Sequence, residues 1–576
     1  MKTLLRRSAW CFLLLAALAS PVLAQSVAPK DPLIERLPPN TWFYFHWRGT
    51  AALDAVRDTN PLCRLWANPA LAALRQRWTG EFYAGARRNP KAANLTPQEI
   101  SELFSLFENP AVVGVIGREA GESKDDKGKV GGFLIFDMKG KKDLLLKLRA
   151  RLSQETTMPA PATTYAVGPN TVEKIVEKSQ TYFQANVGDY YIRSQNIETI
   201  LELVPRYRAE ELPTTSVTQT LEYKQTRAQA SAGALAELFA RVPNLNTWKL
   251  PPQKDFDFIA FARALHLEQI HGWTASLSLT SDATRIHSAL VGDVKPGGIF
   301  DIFGDSDALF ATLPLVPVGA SYHANRFNLA ALYQLLRRAI VAAAPPERAS
   351  SISSLDSMAS MTLGMSLSDA LQLFTGEFAS MDLDPSDQAT KPMFAITIRD
   401  SDKVLDLLRH ALAATLSTED REGSTTFLEL AMPYTDPKSG ARRRRFYSVA
   451  VTPNLVLVGT RKAALRDALT RSAGKPAADS PGRLSDDPTF SHARAALPGK
   501  LSGLGFTDLS RINWSKLIAQ IIQKVQDAET KAGKPLDPSL EALKQVDTNF
   551  LTRYLRVFID GSWKDANGVY FDLSLQ

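Results

Sequence analysis

Apolar positions in this chain follow two rhythms, and both recur twice in the same order. Short runs such as Trp42-Phe-Tyr-Phe45, Gly132-Phe-Leu-Ile-Phe136 and Tyr182-Phe-Gln-Ala-Asn-Val187 predict strands. Leu144, Leu145, Leu148 and Leu152 lie on one stripe of a 3.6-residue period and predict an amphipathic helix. Gly188-Asp189 and Pro453-Asn454 carry the turn chemistry of hairpins. Strands joined by short turns pair antiparallel, so the expected class is α+β, a mostly antiparallel sheet packed with helices. Because runs such as Trp42–Phe45 are apolar on both faces, they are expected in the middle of the sheet with cover on both sides.

The recurrence is detailed enough to predict two related halves. Leu37–Leu53 aligns without a gap on Val316–Leu332, which places Tyr44 on His323 and His46 on Asn325. Leu103-Phe-Ser-Leu-Phe107 returns as Ala370-Leu-Gln-Leu-Phe374, and Gly132–Phe136 as Met393–Thr397. The leucine stripe returns as Val404, Leu405, Leu408 and Leu412. The hairpin Tyr182–Arg193 answers Phe446–Val458. Tyr223, Arg227, Phe239 and Asn246 fall on Phe490, Arg494, Phe506 and Asn513 in a stretch read as helical. Each half closes with alternating runs around a polar turn, at Asp282-Ala283 and at Asp565-Ala566. The expected organisation is 1–24 signal peptide, 25–32 linker, 33–293 first half, 294–309 junction and 310–576 second half.

These residues, with the Leu37-Pro-Pro-Asn40 strand opening and an exported start, resemble an uncharacterised domain-of-unknown-function family of exported bacterial proteins. The resemblance spans most of the mature chain and implies duplicated α+β halves and export. Its motifs are patterns of packing, so it implies no catalytic residues.

Export rests on the amino terminus. Lys2, Arg6 and Arg7 precede an apolar core from Ala9 to Ala19, and Val22-Leu23-Ala24 offers signal peptidase the small residues it needs. Cleavage is expected between Ala24 and Gln25, leaving a protein in the periplasm or outside the cell. The apolar core is about half the roughly 20 residues a membrane-spanning helix requires. Cys11 lacks a lipoprotein lead-in, and the residues after Arg6-Arg7 match a twin-arginine signal poorly. Beyond Ala24 no apolar run approaches a span, and 45% hydrophobic with 22% charged residues predicts a soluble globular chain.

The signal supplies three positive charges of the net +7, and the mild remainder gives no footprint for nucleic acid. Of two cysteines only Cys63 survives cleavage, so no internal disulfide is expected. It sits among apolar neighbours at helical spacing, as a buried structural cysteine would.

The search for chemistry is mostly negative. There is no His-Glu-x-x-His, Cys-x-x-Cys, Gly-x-Ser-x-Gly or phosphate-binding loop, and no cofactor is expected. His266, His271 and His287 are near enough in sequence to share a metal across a hairpin, or else to be packed or surface groups. Asp382-Leu-Asp-Pro-Ser-Asp387 starts like a calcium loop but lacks its glycine and distal glutamate, and Ser123–Gly128 is merely charged. The rings of Trp42–Trp47 alternate sides in a strand and so do not build a sugar platform. Arg442, Arg443, Arg444 and Arg445 form the densest charge in the chain, either a solvated, guarded edge or a dock for anionic envelope material. The expected function is a non-enzymatic binding or envelope-associated protein. The alternative is a hydrolase acting on an envelope polymer or lipid, with acidic residues of both halves meeting in a cleft.

Overall fold

A computed structural model describes residues 31–54, 56–87, 95–117, 131–153, 163–177, 180–227, 234–242, 256–304, 308–345, 354, 357–385, 392–435, 440–474, 481–531 and 550–576. The signal segment 1–24, Ser123–Gly128, Asn246 and Asp387 lie outside them. The chain is an α+β protein whose described strands form one sheet. The first ten strands are β1 (Thr41–Trp47), β2 (Ala111–Ile116), β3 (Gly131–Asp137), β4 (Thr163–Val167), β5 (Asn170–Glu177), β6 (Gln180–Val187), β7 (Tyr190–Ser194), β8 (Ala236–Arg241), β9 (Ile270–Leu279) and β10 (Thr284–Gly292). The second ten are β11 (Ser321–Arg326), β12 (Phe374–Asp382), β13 (Met393–Ile398), β14 (Leu416–Glu422), β15 (Thr425–Thr435), β16 (Arg442–Val451), β17 (Leu455–Gly459), β18 (Gly503–Asp508), β19 (Val557–Asp565) and β20 (Gly568–Leu575).

In space the first set runs β4-β5-β6-β7-β3-β2-β1-β8-β9-β10, every neighbour antiparallel. The second set runs β14-β15-β16-β17-β13-β12-β11-β18-β19-β20, the same order with every number raised by ten. The sets join through β10 and β20, also antiparallel. One row of register partners in the first set is Tyr44, Phe239, Thr274 and Ala289. Its counterpart is Tyr322, Phe506, Ile559 and Ser574. Two positions back from Ala289 and Ser574 stand His287 and Asp572, which are register partners of each other. His287 and Asp572 thus stand at corresponding places in the two strand orders and face each other across the β10–β20 ladder.

These registers correct the gapless alignment. Tyr322, not His323, occupies the place of Tyr44: both tyrosines have no exposed surface, whereas His323 faces outward. His46 likewise falls on Ala324, and Phe133 on Met393, each one residue from the sequence alignment. A slip of one flips every side chain to the opposite face, and runs that are apolar on both faces do not reveal it. A second correction concerns Phe239 and Phe506, which lie on the strands β8 and β18 rather than in helices. Ala234–Ala240 reads as helix by propensity, but pairing with β1 and β9 on both sides overrides it.

The core lies mainly on one face. Tyr44, Ile135, Ile192 and Phe239 pack there against Ile200, Leu203 and Val204 of the helix Ile197–Arg208. Tyr322, Leu457 and Phe506 pack there against Leu465 and Ala468 of the helix Lys462–Ser472. On the opposite face the predicted stripe holds: Val404 and Leu405 of the helix Ser401–Leu412 are buried against Val449, Val451 and Val456. Asp400 starts that helix by accepting from the Lys403 amide at 3.1 Å. Around the joint this second face is open, and Trp273, Ile286 and Phe571 are each more than a third exposed.

Candidate functional site

Two places bring chemically useful groups together. The first is the joint, where Ser276, His287 and Asp572 stand in one row across β9, β10 and β20. His287 Nδ1 and Asp572 Oδ1 are 2.5 Å apart, and the imidazole lies near the Trp563 and Tyr570 rings. The residue types are those of a serine hydrolase, but their accessibility is the reverse of what that chemistry needs. Nucleophilic attack requires an exposed serine hydroxyl bonded to the imidazole, with the carboxylate buried behind. Here Ser276 Oγ and His287 Nε2 are both sealed from solvent with no hydrogen-bond partner, while the Asp572 side chain keeps 34% of its surface. The row is a clamp between the strand sets.

The other histidines each have their own neighbours. His266 lies 3.3 Å from Glu268, and His271 lies 3.1 Å from Gln225 and 3.6 Å from Asp293. The sequence grouped these two with His287; the structure separates the three. Among the described residues no group of three or more histidine, cysteine, aspartate or glutamate side chains is placed to hold a metal ion. Asp382 ends β12, and Asp384 faces Lys516 at 3.6 Å. His323 lies 3.7 Å from Asp560, whose carboxyl is raised above its ordinary range by burial and pulled back by that histidine. Cys63 is buried, and burial pushes its thiol up to about 12, so no thiolate is present at neutral pH.

A shallow groove of about 440 Å³ is lined by Pro39, Asn40, Trp42, Leu221 and the Glu222–Arg241 ion pair. It lies wholly within the first strand set and holds no pair of carboxylates, so it is not the cleft between halves expected of a hydrolase.

The second place is the arginine run. Sequence reading starts this strand at Phe446; β16 begins four residues earlier, at Arg442. Arg442, Arg443, Arg444 and Arg445 pair with Thr435, Tyr434, Pro433 and Met432, so no charge stands opposite another across the ladder. β14 reaches along β15 only as far as Leu430, and β17 along β16 only from Ser448. Met432–Thr435 and Arg442–Arg445 therefore form a two-stranded extension of the sheet, a ribbon that, among the described residues, no third strand flanks. Alternation puts Arg443 and Arg445 on one face with Met432 and Tyr434, and Arg442 and Arg444 on the other with Phe446. All four arginines are exposed, as are Met432 and Phe446. Arg445 lies 4.7 Å over the Tyr434 ring, and a hydrogen bond to Tyr447 raises its pKa further.

Comparison with known proteins finds no match: no family model, no curated sequence and no solved structure is similar to this chain. Among the described residues no helix is long and apolar enough to cross a membrane. The arginine run is legible in the sequence, but the Ser276–His287–Asp572 row is not, because Asp572 reaches the Ser276–His287 hairpin pair only through strand pairing at the joint. The one available signal was His287 and Asp572 at matching positions of the two closing hairpins.

Proposed function

We propose that this chain is an exported, non-enzymatic binding protein, built by duplication of one α+β half, that engages an anionic component of the cell envelope. The observation that carries the reading is the ribbon: four exposed guanidinium groups on a two-stranded stretch beyond the ends of β14 and β17, with uncharged residues opposite. Guanidinium forks suit phosphate oxygens, and such contacts gain most where anions are dense. The shared strand order of the two sets supports duplication, and Lys2 to Ala24 supports export to the periplasm or beyond. Membership of the exported family that the sequence resembles belongs to the same proposal. The sealed serine at the joint supports binding over hydrolysis.

The test is co-sedimentation of the protein from Gln25 onward with vesicles rich in anionic phospholipid. Binding is expected to weaken steeply from about 50 to about 500 mM salt as screening shortens. At about 1 kcal/mol per arginine near an anionic surface, changing Arg442, Arg443, Arg444 and Arg445 to glutamine should cost roughly two to three orders of magnitude in affinity. Equal binding by both proteins, with folding unchanged by circular dichroism, would remove the reading.

A further inference from the structure

We infer that the groove beside Trp42 binds a neutral, β-linked saccharide, with one pyranose ring against the indole. This site is separate from the arginine ribbon and independent of the anion-binding reading. A bulge in β1 makes it. Thr41 partners Ile116 and Phe43 partners Val115, so Trp42 stands opposite no residue of β2. β11 runs opposite β12 without such a break. Before the bulge the two sets agree: the Thr41 amide donates to the Pro38 carbonyl as Ala320 does to Pro317, and Val217 donates to Leu37 as Leu484 does to Val316. After it Tyr44 matches Tyr322, so Trp42 is the one residue of β1 with no counterpart in the second set. A bulge re-aims the side chain it carries. The rings of Trp42–Trp47 do not form one platform, but Trp42 leaves their alternation and lines the groove. Its indole lies against Gly117, where any side chain would collide with the ring.

The polar groups around the indole define the ligand. Glu222 and Arg241 pair at 2.7 Å, so their charges cancel, and a charged ligand would lose hydration without meeting a net opposite charge. The pair still keeps spare acceptors and donors in fixed planes, which suits neighbouring hydroxyls. Asn40 Oδ1 is buried with no donor, and among the described residues the Trp42 indole N–H has no acceptor. Leu221, 62% exposed, adds an apolar flank. A β-linked pyranose matches both kinds of surface, with equatorial hydroxyls around its rim and axial C–H groups over its faces. The groove's volume of about 440 Å³ falls within the roughly 300–1,000 Å³ of small-molecule sites. In the second set the same place is filled from within. Asn40, Thr220 and Arg241 correspond there to Gly319, Asp487 and Asp508. Arg511 crosses all three, 2.8 Å from Asp508, 3.6 Å from Asp487 and 3.6 Å from where a Cβ on Gly319 would stand. One set thus closes with its own guanidinium the place where the other keeps a groove and an extra indole.

Calorimetry and saturation-transfer NMR with cellotriose and triacetylchitotriose, on the protein from Gln25 onward, test this. At least one trisaccharide should bind, with saturation strongest on its ring C–H protons. Binding should be unchanged between about 50 and about 500 mM salt, since no net charge is met. Trp42→Ala should lower the affinity at least about tenfold, the loss of one ring's contact. Trp42→Phe, the milder change should alanine unfold the strand, should lower it by roughly threefold. Arg511→Ala, in the second set, should leave it unchanged. Undiminished affinity in a tryptophan variant that circular dichroism shows to be folded would overturn the inference, as would failure of both trisaccharides to bind at about 10 mM. Glycine betaine bound in preference to both would overturn it too, showing that the indole and Glu222 read a cation. Vesicle binding is a separate readout: its loss when the four arginines become glutamine leaves saccharide binding intact, and the reverse holds for Trp42→Ala.

Discussion

Changing His287 to aspartate is expected to cost about 3 kcal/mol of stability, and adding Asp572→His should recover most of it. The single change sets two carboxylates against each other at a joint where the present pair stands at 2.5 Å. An uncompensated charge left in a buried contact typically costs roughly 3–5 kcal/mol, and the low end applies because Asp572 keeps about a third of its surface. Recovery is expected because the two positions are equivalent in their own strand sets, so the exchange rebuilds the same contact with donor and acceptor reversed. Urea unfolding of both single variants and the double variant measures the coupling. A double variant as unstable as the two single losses added together would show that the positions are not equivalent.

An effect of similar size is expected where each strand set makes a close backbone approach at a glycine of positive φ. After β1, Gly49 has φ +88, and a side chain there would run into the Glu108 carbonyl. At the equivalent place in the second set the glycine sits on the other partner: Gly376, with φ +96, meets the Phe327 carbonyl, and a Cβ would lie 2.6 Å from that oxygen. The same contact is thus relieved from opposite sides. Gly49→Ala and Gly376→Ala should each cost about 3 kcal/mol, since a left-handed conformation alone costs roughly 1–3 kcal/mol in a residue with a side chain and the backbone clash adds to it. Gly85→Ala, in the open on the helix Ala72–Arg87, should be neutral or stabilise by up to about 1 kcal/mol. Thermal unfolding of the three variants separates the cases, and a harmless Gly376→Ala would contradict the packing described.

The α+β class was legible because helices such as Ser401–Leu412 and hairpins such as Tyr182–Arg193 carry local periodicity and turn chemistry. Register was not. Tyr44 lies in a run that is apolar on both faces, so although Ser321–Arg326 alternates, only the facing strands β8 and β18 set one run against the other. Those two strands were themselves hidden, because Ala234–Ala240 and Leu504–Phe506 carry little of the alternation that marks a strand. The arginine ribbon was visible as charge and as a half-and-half division of side chains. That its two strands outrun their neighbours was not, because that depends on where β14 and β17 stop. The joint row was invisible for a similar reason: Ser276 and His287 share a hairpin, but Asp572 joins them only when β10 finds β20.

The claim that this is a binding protein rather than a hydrolase is tested most directly at Ser276. The native protein is incubated with a fluorophosphonate, which reacts covalently with serine activated by an imidazole, and its intact mass is then measured. Burial of Ser276 Oγ and His287 Nε2 without a bond between them predicts an unchanged mass. An adduct on Ser276 that disappears in His287→Ala would contradict the account, showing that the row opens and works as a catalytic triad.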